Sequence, residues 1–395
     1  MRWRVGRSYG AVVGIVLVLG GAAAAAAPRW WEATGPDTAT AAGAVTDGIV
    51  PAAPAAPVLG RLRTYRVGPD VDPTGTRDVT DALLAFFRRV PDGSRVLFPA
   101  RSRYRIDGTV ELDGRSRLLV DGGGSEFFAT TAGDPNRAHW RLVGGSDLEL
   151  RNLSIRGANG DGGTPAAYRP DRQWQHGVDL RGVRRVLLDR VTVTDLYGDC
   201  VYVGAAPTGG WSEDVRVRAA RCARNGRQGL AVTAGRRVAL QGGSFAQISL
   251  MTVDLEPNGP SGGAADIRVS GNRVAGQSRQ QFIGIGGVGP VSRVRIEDNV
   301  LTGKPLTVLV VSPGGQPRTD LAVLDNRSDT ADDRPYSASL VFQRVRGLRV
   351  EGNLAPLSGP DMALVQLTCS SGVTVGGNTY PGGAAQVRSA GSRCD

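Results

Sequence analysis

The chain has 395 residues and a formal charge of +10, carried almost wholly by arginine, since Lys304 is the only lysine. That charge suits an anionic partner, but no basic cluster is interleaved with aromatics, which argues against nucleic acid. Four cysteines without a C-x-x-C spacing, and only two histidines, His139 and His176, make a poor metal-binding set.

Arg2, Arg4 and Arg7 precede an uncharged run from Ala11 to Ala27. Residues 1–27 therefore read as a signal peptide or a signal anchor. The run is about 17 residues, at the lower limit for a span, with Trp30 and Trp31 where an interfacial belt would lie. The expected location is extracellular or cell-surface, with attachment through this segment if it is retained. Residues 28–64 are rich in Ala and Pro and read as a flexible linker. Residues 65–395 are expected to form one elongated domain.

In RDVTDALLAFFRRV (77–90), Leu83, Leu84, Phe86, Phe87 and Val90 have near-helical spacing, with Thr80 or Asp78 as N-cap. Beyond it the pattern changes to alternation. Short apolar strands recur as HGVDL (176–180), DCVYV (199–203), QGLAV (228–232), TVDLE (252–256) and FIGIG (282–286). A second strand ends in Asn: IRVSGNRV, VRIEDNVL, LAVLDNRS, LRVEGNLA and VTVGGNTY place Asn272, Asn299, Asn326, Asn353 and Asn378 at spacings of 27, 27, 27 and 25. The same phrase is visible around Asn152. A fixed period with two or three short strands, punctuated by Gly, Asn, Asp and Pro, predicts a parallel β-helix of about nine or more coils. The fold class is all-β, with the segment 77–90 as a short capping α-helix over the first exposed strand edge. A leucine-rich repeat is disfavoured by the absence of its leucine consensus. The Asn residues read as a ladder that supports turns. Cys369 and Cys394 lie about one coil apart and are expected to staple the last coil. Cys200 and Cys222 fall at different places on the coil circumference, which leaves their pairing open.

The stretch DVDPTGTRDVTDALLAFFRRVPDGSRVLFPARSRYRIDGTVEL (70–112) resembles the opening segment of pectate lyase-like right-handed β-helix proteins. That resemblance implies the fold, over roughly 65–395. It does not fix an activity, because the superfamily holds polysaccharide lyases, glycoside hydrolases, uronan epimerases and tailspikes. The Gly-His-Gly and Arg-Ile-Lys signatures of polygalacturonase-type hydrolases are missing.

Placing the apolar residues inward puts Asp179, Tyr202, Ala231, Asp254 and Gly284 in one outward column, and Arg181, Gly204, Thr233, Glu256 and Gly286 in the next. His176, Asp199 and Gln228 precede the strands, with Arg227 beside Gln228. Ionisable residues thus collect between 176 and 256. Trp140, Trp174, Trp211, Tyr168, Tyr197 and Tyr202 lie between 140 and 211, and residues 158–175 are an insertion that stretches one coil by about 11 residues. The candidate catalytic set is Asp199, Arg227, Asp254, Glu256, His176 and Tyr202. The candidate substrate-binding set is Trp174, Asp179, Trp211, Tyr197 and Gln228. Asp254 and Glu256, alternate residues of one strand, are roughly 6.6 Å apart, which suits the carboxyl pair of an inverting glycosidase. In a lyase or epimerase, Asp199, Asp254 and Glu256 would offer oxygens to Ca²⁺. The resemblance implies Arg227 as base there, although an arginine base is awkward. Tyr197, Tyr202 and His176 are easier proton carriers. The expected partner is an acidic polysaccharide, cleaved or epimerised; a glycan-binding or structural β-helix is the non-enzymatic alternative. The expected assembly is a monomer or a trimer.

Overall fold

The computed structural model describes residues 49–389, apart from Pro260, 277–280, 314–315 and 333–336. The expected leader and Cys394, hence the Cys369–Cys394 pairing, lie outside the described residues. The chain winds as a right-handed parallel β-helix of three parallel sheets. The first sheet has 12 strands, from Arg63–Arg66 to Ser371–Gly376; the second has 10, from Thr74–Asp78 to Arg327–Ser328; the third has 11, from Val110–Asp113 to Ala385–Ser389. Period-two alternation puts Val, Leu and Ile into one continuous interior, while backbone groups pair with the coils on either side.

The helix Thr80–Arg89 buries Leu83, Phe86 and Phe87 against the start of this stack. Val79 occupies the N-cap position without a side-chain bond, but the Asp78 carboxylate accepts from the Thr80 amide at 3.0 Å. Phe87 meets Trp140 edge-on at 5.9 Å, and Phe98 and Phe127 pack on the same indole. Trp140 is therefore a core residue and not part of an aromatic outer face.

The Asn ladder is present. The amide and Nδ2 of Asn272, Asn299, Asn326 and Asn353 each donate to Oδ1 of the next Asn. The left-handed residue, however, is the one before each Asn: Gly271, Asp298, Asp325, Gly352 and Gly377. Asn152 has φ 53° and sits in that preceding position, so it is one residue out of register and lies outside the ladder.

Cys200 and Cys222 form a disulfide with Cα atoms 6.1 Å apart. Cys222 does pair in register with Val193. Cys222 lies in the second sheet and Cys200 in the bend just before the third-sheet strand Val201–Gly204, but both are buried in the core and meet across the interior, which a comparison of strand registers does not show. Residues 49–60, expected to be part of a flexible linker, instead lie along the first sheet. The backbone N–H groups of Ala52, Ala55 and Val58 donate to Asp266, Asp214 and Asp147 at 3.2, 2.9 and 2.8 Å.

Candidate functional site

The third sheet builds the outward columns as its alternation dictates. Val178, Val201, Leu230, Val253 and Ile283 are in register and buried, so Asp179, Tyr202, Ala231, Asp254 and Gly284 form the facing column. Glu256 follows two residues after Asp254, its amide tied to Val232 of the preceding coil at 3.0 Å.

Five residues of the predicted sets converge. Asp199 accepts from Nη1 of Arg227 at 2.8 Å and from the Gln228 amide at 3.0 Å. Arg227 also reaches towards Glu256, with Nη2 3.8 Å from a carboxylate oxygen. Gln228 spans two coils: its Oε1 accepts from the Met251 amide at 2.9 Å and its Nε2 donates to Asp254 at 2.9 Å. Asp254 is 4% exposed, and burial together with the neighbouring Glu256 charge pushes its pKa up to about 7. Burial raises Glu256 too, opposed by Arg227. Arg227 is buried, yet Asp199, Asp254 and Glu256 around it overcome that burial and raise its pKa. The guanidinium is therefore a fixed cation.

The insertion 158–175 folds over this cluster. Asn159 holds it, donating from Nδ2 to the carbonyls of Ala167 and Leu196, both at 2.9 Å. The Trp174 ring is thereby delivered 5.7 Å from the Arg227 guanidinium and remains 41% exposed. Tyr168 also comes to the cluster, its pKa raised by burial with Arg227 opposing. Tyr168 is absent from the sequence-derived site set; its presence in a long insertion was the only signal available.

Other candidates take supporting places. His176 is fully buried, stacked on Tyr202 at 4.7 Å with an interplanar angle of 9°. Its Nδ1 lies 3.2 Å from both the Asp199 amide and the Asp199 carboxylate. Burial pushes the imidazole pKa down, Asp199 opposing, and so favours the neutral ring accepting at Nδ1 from the amide. The proton then resides on Nε2, which has no hydrogen-bond partner among the described residues. Tyr202 shares a 2.8 Å hydrogen bond with Thr233, and burial raises its pKa. Asp179 is committed to Arg141 at 2.8 Å and Arg181 at 2.9 Å. Tyr197 donates to the Ala158 carbonyl at 3.1 Å and steadies the insertion. Trp211 lies elsewhere: its indole N–H donates to the Ser261 carbonyl at 2.7 Å and Arg236 covers its ring, beside the first sheet. Trp211 and Asp179 are thus partnered outside the Asp199–Arg227–Asp254–Glu256 cluster.

The oxygen set considered for Ca²⁺ is not assembled. Asp199 is saturated by Arg227 and Gln228, and among the described residues no group of three or more His, Cys, Asp or Glu side chains is arranged to hold a metal ion.

No protein-family profile matches the chain, and no curated protein matches it in sequence. Solved structures do resemble it. The surface adhesin PfbA of Streptococcus pneumoniae superposes with a TM-score of 0.59 at 10% identity, over 84% of this chain and 93% of the adhesin. A mutant tailspike of E. coli bacteriophage HK620, solved with a pentasaccharide, superposes with a TM-score of 0.61 at 13% identity, over 84% of this chain and 64% of the tailspike. The likeness establishes a shared right-handed parallel β-helix fold.

Proposed function

We propose that the protein is an exported, carbohydrate-active β-helix that hydrolyses a glycosidic bond with inversion. Asp254 donates a proton to the leaving oxygen, and Glu256 activates the attacking water. The observation that carries this reading is the pair itself: two carboxyls two residues apart, Asp254 within the strand Val253–Leu255 and Glu256 just past its end, both pushed up by burial, with Asp254 protonated to a substantial extent at neutral pH. Arg227 beside Glu256 opposes that rise and helps keep one member of the pair ionised. Trp174 offers an apolar ring face to a sugar at the rim. The +10 charge favours an anionic glycan, and the Cys200–Cys222 disulfide suits an oxidising exterior.

Elimination or epimerisation is less well supported. Arg227 is held as a cation by Asp199, His176 is sealed beneath Tyr202, and the Tyr202 phenol is raised away from neutral titration. Binding without cleavage is the second reading. It is favoured by the hydrogen bond from Gln228 to Asp254, which would equally satisfy a purely structural carboxyl. Incubation with acidic and neutral glycans separates the readings. Hydrolysis yields new reducing ends, elimination yields an unsaturated ultraviolet-absorbing product, and binding alone gives retention on a glycan array with neither.

A further inference from the structure

The first sheet carries a charge pattern that the glycan site does not use. In each strand of the first sheet from the fourth to the ninth, the residue before the first inward side chain is left-handed, and its sign alternates. Asp147, Arg185, Asp214, Arg237, Asp266 and Arg293 have φ of 59°, 51°, 58°, 52°, 57° and 51°. They stack in register, and each arginine grips the preceding aspartate through Nε and Nη2, at 2.6 and 2.6, 2.6 and 2.9, and 2.6 and 2.8 Å. One Oδ1 of each aspartate also accepts a backbone N–H from the segment Ile49–Gly60.

The spacing of those contacts is set by two unrelated repeats. Ala52, Ala55 and Val58 are three residues apart, about 9.3 Å in a polyproline II strand. Asp266, Asp214 and Asp147 recur every second coil, about 9.6 Å along the stack. The sequence PAAPAAP matches this period. Pro51 and Pro54 face the sheet and are buried, while Ala52, Ala53, Ala55 and Ala56 are exposed. Arg216 adds a bond to the Pro54 carbonyl at 2.9 Å. At the far end Ile49 is buried against Ala322 and Leu324, in the tenth strand of the sheet. The 14 steps from Ile49 to Arg63 span about 43 Å as polyproline II, and nine coil steps span about 43 Å.

We propose that the alternating Asp/Arg column is a recognition track for the chain's own Pro-x-x-Pro segment. Docking on it moves the point where the N-terminal segment joins the domain from the first coil to the tenth. The track reads backbone N–H groups at intervals of three residues, so it selects polyproline II geometry and not a particular side chain. The rod is consequently held by its flank, with the strap on the first sheet and the glycan site on the third. This inference is independent of the catalytic reading.

Register insertions in the full-length chain test it. They lie outside the coils, so the fold is preserved, as circular dichroism would verify. Native-state hydrogen exchange should show the amides of Ala52, Ala55 and Val58 exchanging at least about tenfold slower than those of Ala53 and Ala56. One alanine inserted between Ala53 and Pro54 should abolish protection at Ala52 while Ala55 and Val58 keep it. Insertion of Pro-Ala-Ala at the same point should leave an amide protected at Asp266. Nitroxides on V50C and R346C should give one short, narrow distance distribution. Uniform exchange along the strap, equal protection after one and three inserted residues, or a broad label distribution would overturn the proposal.

Discussion

Glu256→Gln should lower the pKa of Asp254, and the size of the drop can be worked from the strand. Asp254 sits at about 7 because it is buried and because Glu256 carries a like charge beside it. Alternate residues of one strand are separated by roughly 6.6 Å. At an effective dielectric of about 20, two unit charges at that distance repel by about 2.5 kcal/mol, or about 1.8 pKa units. Removing the Glu256 charge should therefore bring Asp254 to roughly 5. It should not reach the ordinary aspartate range, because burial persists. Carboxyl-selective infrared or carbon-13 titration of labelled protein reads this without needing a substrate. An Asp254 pKa unchanged in Glu256→Gln would refute the coupling, and with it the assignment of the two residues as a working pair.

The same raised pKa makes stability pH-dependent. The folded state binds the Asp254 proton more tightly than the unfolded state, so this contribution is present at low pH and is lost as pH rises from the ordinary aspartate range through about 7. Denaturant titrations should accordingly show wild type losing more stability than Asp254→Asn over that window. Asn326→Ala should cost about 2–4 kcal/mol. It removes the acceptor of the Asn299 amide and Nδ2 and the donor to the Ile296 carbonyl; a cost near zero in urea unfolding would contradict the ladder's role. Replacing both Cys200 and Cys222 by Ser should cost about 3 kcal/mol, from the loop entropy of a 22-residue separation. Trp174→Ala should weaken glycan affinity roughly tenfold in calorimetry with the coils unchanged.

Much of the scaffold is written in the primary structure because a β-helix repeats one decision many times. The 27-residue Asn period and the inward Val, Leu and Ile are local signals, and their pattern alone places Asp179, Tyr202 and Asp254 in one column. Contacts that cross the coil are less legible. Cys200 and Cys222 meet through the interior although strand alignment places them at different points of the coil, and Trp140 turns inward to the capping helix although its neighbours in sequence include the aromatics expected to meet a sugar. Insertions are harder still. Nothing in the sequence 158–175 says that Trp174 and Tyr168 reach Arg227 while Trp211 stays beside Ser261. The strap was hidden by composition. Ala and Pro cannot form a core, but they need none when a preformed column of aspartates satisfies their amides. The alternating signs of that column appear only once the strands are aligned coil by coil.

The most direct measurement is product analysis on the best-bound glycan, comparing wild type with the Asp254→Asn, Glu256→Gln double variant. The account predicts new reducing ends of inverted anomeric configuration from wild type, and none from the double variant at unchanged circular dichroism and melting. Equal cleavage by the double variant, or an unsaturated product from wild type, would contradict it.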